Sequence, residues 1–196
     1  MRAYMKDISP FLGIPSPVRR KATKGLKRPP DSELLVACCE LFALTEREYH
    51  YVAIDALDAR AKHLPASALH DLLRLVQTKS WWDTVDGLAG CIGGLVTAHP
   101  ILAVEIEGWI HHEDFWVQRV AILHQLRYKE RTDVERLFRL CLVHASSREF
   151  FIRKAIGWAL RQYAWTDPEA IRSFVEAHRS EFSGLTVREA DRKSVV

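Results

Sequence analysis

The sequence predicts an all-α fold, a HEAT-like α-solenoid of antiparallel helix pairs, and three observations predict it. Apolar residues recur at three and four spacing, helix start signals stand ahead of those runs, and one aromatic motif returns at a fixed interval. No stretch shows the sustained alternation of a half-buried strand.

The starts are read first. Ser16 followed by Pro17, Thr45 with Glu48 as a capping box, Asp167 followed by Pro168, and Thr186 with Glu189 each pair a hydroxyl or carboxylate cap with first-turn chemistry. Between them run stripes such as Leu34, Leu35, Cys38, Leu41 and Phe42, or Leu137, Leu140, Cys141 and His144, which bury one side of a helix. About eleven or twelve short helices follow, joined by loops of a few residues.

The repeat comes next. REYHYVAIDAL begins at Arg47, SWWDTVDGLAG at Ser80, DFWVQRVAIL at Asp114 and REFFIRKAIGWAL at Arg148, each where the second helix of a pair should start. Their leading aromatics, Tyr49, Trp81, Phe115 and Phe150, are spaced by 32, 34 and 35 residues, slightly under the usual HEAT period. One pair alone would leave an apolar face wet, so pairs must stack, and a small twist per repeat makes a curved array with a concave surface. The leading aromatics are expected in the core.

With 196 residues, 48% of them hydrophobic, the chain suffices for one sizeable core, and residues 1–196 are expected to form a single domain. Residues 1–12 carry Arg2, Lys6 and Asp7 and no apolar run, unlike a signal peptide, and no segment is apolar for the roughly 18 residues of a membrane span. Cys38, Cys39, Cys91 and Cys141 lack CxxC spacing, so reduced thiols in a cytoplasmic protein are expected. The net charge of +3 conceals segregation: eight Lys or Arg against Asp7 alone in residues 1–30, five against fourteen acids in 31–118, and ten against four in 119–163. Two basic blocks brought together by folding would suit a polyanion; solvated helix faces would produce the same count.

Helical spacing places Trp82 and Asp86 on one face. Arg119 begins a basic stripe continued by Arg127, and Lys154, Trp158 and Arg161 share a face in the fourth motif. Successive repeats thus offer an aromatic with a carboxylate, then arginines, then an aromatic with cations, toward one groove. Periodicity alone equally accommodates Trp82 and Trp158 as core and Asp86 as a solvated or paired acid. Neither His111 with His112 nor the remaining histidines has a zinc spacing, and no Gly-rich loop with Lys and Ser or Thr suggests a nucleotide site, so no metal and no cofactor is expected.

Read in order, FLGIPSPVRR at Phe11, TKSWWDTVD at Thr78, FWVQRVAILHQLRYK at Phe115 and EFFIRKAIGWALRQYA at Glu149 resemble the diagnostic segments of the AlkD family of DNA alkylpurine glycosylases. The similarity covers nearly the whole chain, in the family's order and spacing. It implies a concave, basic face that binds duplex DNA containing alkylated purines, in a monomer. It maps the family's functional aromatic and acid onto Trp82 and Asp86, its arginine onto Arg119 and its second tryptophan onto Trp158, with DNA contacts at Tyr4, Arg127, Arg161 and Lys154.

The resemblance further implies hydrolysis of the N-glycosidic bond of cationic purines, of the 3-methyladenine and 7-methylguanine type, without extruding the base into a pocket. Asp86 would stabilise positive charge on the deoxyribose and orient water, and the indoles of Trp82 and Trp158 would share that charge. Two departures stand out: family members commonly carry a further helix before the Tyr4 segment, and Pro15 replaces a glutamine that often follows FLGI. The alternative is a HEAT-like scaffold or damaged-DNA binder without catalysis.

Overall fold

The computed structural model describes residues 4–26 and 29–191, and among them every regular element is helical. Arg2, Lys27 and Arg28 of the amino-terminal basic block lie outside the described residues. Eleven α-helices and three short 3-10 turns are present among those described, and the chain divides into two compact units, Met1–His99 and Pro100–Val196.

In the first unit, α1 (Ser16–Thr23) precedes α2 (Asp31–Ala43), α3 (Arg47–Asp58), α4 (Ala68–Val76) and α5 (Trp82–Ala98). Only Leu44, Thr45 and Glu46 join α2 to α3, so the two helices return alongside each other. The expected stripe contributes the core here: Leu34, Cys38 and Phe42 are buried on α2, which packs on α3, where Ala53 and Leu57 are buried. Helix α5 rests on both α3 and α4, with Val85, Leu88, Ile92 and Leu95 inside. Gly87 permits this approach, because a Cβ there would stand 2.7 Å from the Ile54 side chain.

The second unit comprises α6 (Leu102–Gly108), α7 (Phe115–Leu123), α8 (Val134–Val143), α9 (Phe150–Tyr163), α10 (Pro168–Ala177) and α11 (Gly184–Ala190). Here α7 packs on α9 and α9 on α11, as α3 packs on α5 in the first unit. The four aromatic motifs therefore open the helices α3, α5, α7 and α9. Leu137, Leu140 and Cys141 are buried on α8, and His144 ends that helix with its Nε2 2.7 Å from the Ile110 carbonyl.

Start signals were legible in kind and sometimes displaced in detail. Asp167 accepts from the Ala170 amide at 2.9 Å, as its Pro168 neighbour predicts. Ser16 is the first helical residue of α1 and not its cap. At α11 the cap is Ser183, which accepts from the Thr186 amide at 3.1 Å, while Glu189 is engaged elsewhere. Thr45 and Glu48 form no capping box: Thr45 donates to the Glu46 carboxylate, and Glu48 binds the amides of Leu12, Gly13 and Ile14.

The leading aromatics are also less enclosed than expected. Tyr49, Trp81 and Phe115 are half-buried and Phe150 is exposed. In the third motif the following residue, Trp116, fills the interior, with its ring 4.8 Å from Phe151 and 4.6 Å from Phe115. No described helix is long and apolar enough to cross a membrane, and Cys38, Cys39, Cys91 and Cys141 are all free thiols.

Candidate active site

Helix α5 begins after a strained turn. Lys79 has φ 47°, in the left-handed region, and its Nζ reaches back to the carbonyls of Phe42, Ala43 and Leu44 at 3.0, 3.2 and 2.6 Å. A lysine there satisfies the last carbonyls of α2 and meets the negative end of its dipole. The same residue's carbonyl accepts from Arg47 at 2.6 Å.

Arg47 is the anchor of this region. Fully buried, it grips Asp83 through Nε to Oδ2 at 3.0 Å and NH2 to Oδ1 at 2.7 Å, a bidentate geometry, and donates to the Thr84 hydroxyl at 2.8 Å. Tyr51 donates its hydroxyl to Asp83 at 2.5 Å. Burial, then the hydrogen bond to Asp83, pushes the Tyr51 phenol well above its ordinary range, so it stays a donor. Burial and the adjoining Arg47 cation likewise hold His50 below the usual imidazole value.

These bonds fix the first turn of α5, and Trp82 is its first residue. Asp86 follows one turn later on the same face, and both side chains are half-buried. Tyr4 completes the group: its ring stands edge-on to Trp82, with centroids 6.1 Å apart and planes at 87°. Tyr4 itself is 73% exposed. An indole face and a carboxylate can each attract a cation, and here they stand one turn apart on a helix start held by a buried ion pair.

The second unit places its candidates differently. Arg119 is buried, and its NH1 donates to the Phe151 carbonyl at 2.5 Å, which ties α7 to α9. Lys154 and Arg161 both reach Glu189, at 2.6 and 2.7 Å, and Arg161 also donates to the Glu189 carbonyl at 3.1 Å. Burial would raise the Glu189 carboxyl, but these two cations outweigh it and hold it below the usual range. Trp158 is half-buried on α9 between Lys154 and Arg161, and Arg127 is exposed.

The periodicity sets Trp82 and Asp86 one turn apart on α5, and Lys154, Trp158 and Arg161 at four and three spacing on α9. It missed Arg47, Asp83, Tyr51 and Glu189. Arg47 and Asp83 lie 36 positions apart in successive motifs, so no local spacing joins them; the signal in the sequence is Asp83, a charge at the motif position where the others carry Tyr51, Val117 and Ile152. No group of His, Cys, Asp and Glu able to hold a metal occurs among the described residues.

Comparison with known proteins agrees with this architecture. The family model described as "DNA alkylation repair enzyme" matches residues 1–193, across both units. A solved structure described as "Predicted DNA alkylation repair enzyme from Enterococcus faecalis" superposes with a TM-score of 0.86 at 33% identity, covering 100% of this chain and 93% of that one. No curated protein sequence matches. By the extent of the family match and the identity over the full length, the chain belongs to the DNA alkylation repair enzyme family.

Proposed function

We propose that the protein is a DNA glycosylase that hydrolyses the N-glycosidic bond of cationic alkylated purines, of the 3-methyladenine and 7-methylguanine type, in duplex DNA. The observation that carries this reading is the placement of Trp82 and Asp86 on one face of α5, at a helix start clamped by Arg47 and Asp83. Family membership in DNA alkylation repair supports the substrate class.

A purine alkylated at N3 or N7 already carries positive charge. When the C1′–N bond breaks, its electron pair goes to the base nitrogen and the purine leaves neutral, so no general acid is required. Charge then develops on the deoxyribose. The Asp86 carboxylate stabilises it electrostatically and accepts the proton of the water that adds to C1′. The Trp82 face adds roughly 0.5 to 2 kcal/mol of cation attraction, depending on desolvation.

Trp158 is assigned a second cation-stabilising role by resemblance, and Arg127, with Tyr4, a DNA backbone contact suited to lesions in any sequence context. Arg119 is assigned a DNA contact by resemblance, and its NH1 also ties α7 to α9 through the Phe151 carbonyl. Lys154 and Arg161 reach DNA phosphates only in competition with Glu189. Reaction without base extrusion, in a monomer of one domain acting in the cytoplasm, completes the proposal, with no metal or cofactor.

The test incubates the protein with duplex DNA containing 7-methylguanine and measures free base, beside Asp86→Asn. The expected result is release by the unsubstituted protein and a fall of about 100-fold or more in the variant, the scale of losing a charge-stabilising group, with DNA binding retained. Equal release by both removes Asp86 from the reaction. No release by either assigns the chain to DNA binding without catalysis.

A further inference from the structure

The described residues of the arm that carries Tyr4, 4–15, form no helix, yet they are fastened along their length. Met5 is buried, the Arg47 amide donates to the Pro10 carbonyl at 3.0 Å, and the Glu48 carboxylate accepts from three successive amides. Those of Leu12, Gly13 and Ile14 converge on it at 3.0, 2.8 and 3.2 Å. Gly13, at φ 81°, supplies the left-handed conformation that lets neighbouring amides point to one centre, a backbone nest for an anion.

Glu48 is 4% exposed, and burial works to raise its carboxyl; the amides outweigh that and hold it below the usual range, so the latch is charged at neutral pH. Its neighbour Arg47 grips Asp83, the residue after Trp82. Both halves of the contact between Tyr4 and Trp82 therefore hang from the first turn of α3.

We propose that Glu48 is a positioning residue for the reaction described above: its carboxylate latches the arm so that Tyr4 stands edge-on to Trp82 and fixes the indole beside Asp86. The inference rests on the glycosylase reading for its catalytic consequence and on the arm's hydrogen bonds for its mechanism. A carboxylate that only stabilised the fold would act independently of Tyr4, whereas a latch acts through it.

A double-mutant cycle separates the two. Tyr4→Ala, Glu48→Ala and the double variant are compared by single-turnover release of 7-methylguanine and by the indole N–H resonance of Trp82, assigned through Trp82→Phe. The latch predicts that each single variant slows release about tenfold and moves the resonance, and that the double variant is no slower than Tyr4→Ala. Glu48→Gln, which keeps the shape and one acceptor oxygen, falls between; it carries the same cycle should Glu48→Ala fail to fold.

An equal rate loss from removing Glu48 with and without Tyr4 overturns the proposal, as does a Trp82 resonance indifferent to both Glu48 variants. A resonance that responds, in a protein that releases no base, upholds the latch and overturns the glycosylase reading instead.

Discussion

Arg47 and Asp83 form a bidentate ion pair between α3 and α5, with the guanidinium wholly buried and the carboxylate 8% exposed. The pair sits directly beside Trp82, so the fully buried Arg47 cation adjoins the candidate chemistry of the first unit.

Removing one partner leaves the other charge buried without its counter-ion. Arg47→Met is expected to destabilise the fold by about 3 to 5 kcal/mol, and Asp83→Asn by less, since Tyr51 and Thr84 still offer partners. Urea unfolding measures both; a midpoint for Arg47→Met equal to that of the unsubstituted protein would refute the anchor.

Glu189 holds Lys154 and Arg161. Glu189→Gln is expected to free both cations, costing about 1 to 3 kcal/mol of stability while steepening the salt dependence of DNA binding by up to about two phosphate contacts. A titration of affinity against salt reads the slope. An unchanged slope would mean that the released cations do not reach DNA.

His124 is buried, with Nδ1 2.7 Å from the Ala121 carbonyl, and burial depresses its pKa from 6.5 to about 4; Arg136, Glu107, Asp133 and Tyr128 surround it. The unfolded chain binds the proton more readily, so stability is full above pH 6.5 and falls as pH drops toward about 4. Over that window the loss approaches about 3 kcal/mol. His124→Gln is expected to flatten this part of the pH profile of the unfolding midpoint, though it lowers stability at neutral pH.

Gly157 lies where α9 meets α11. A Cβ there would press on the Glu189 side chain and stand 2.9 Å from the Thr186 carbonyl, so Gly157→Ala is expected to cost about 1 to 3 kcal/mol despite alanine's better helix propensity. Thermal unfolding measures it, and a stabilised variant would show that α11 can move aside without penalty.

Much of this was legible in the sequence because helices are local. The stripe Leu34, Cys38 and Phe42, the cap at Asp167, and the four motifs that open α3, α5, α7 and α9 depend on spacings of a few residues, which a linear reading resolves. The placement of Trp82 and Asp86 one turn apart on α5 follows from the same 3.6-residue period.

What the sequence by itself determined is therefore the helical period, the repeat and the membership of each candidate in a helix face. Tertiary structure alone decided which charges those faces retain. Glu48 looked like half of a capping box and instead holds an arm more than thirty positions away, and Glu189 looked like another and instead takes up two cations. The physical reason is that a carboxylate or guanidinium withdrawn from water must find its partners wherever the packing brings donors and acceptors together, and stacked repeats bring them from neighbouring motifs, at separations that no local spacing encodes.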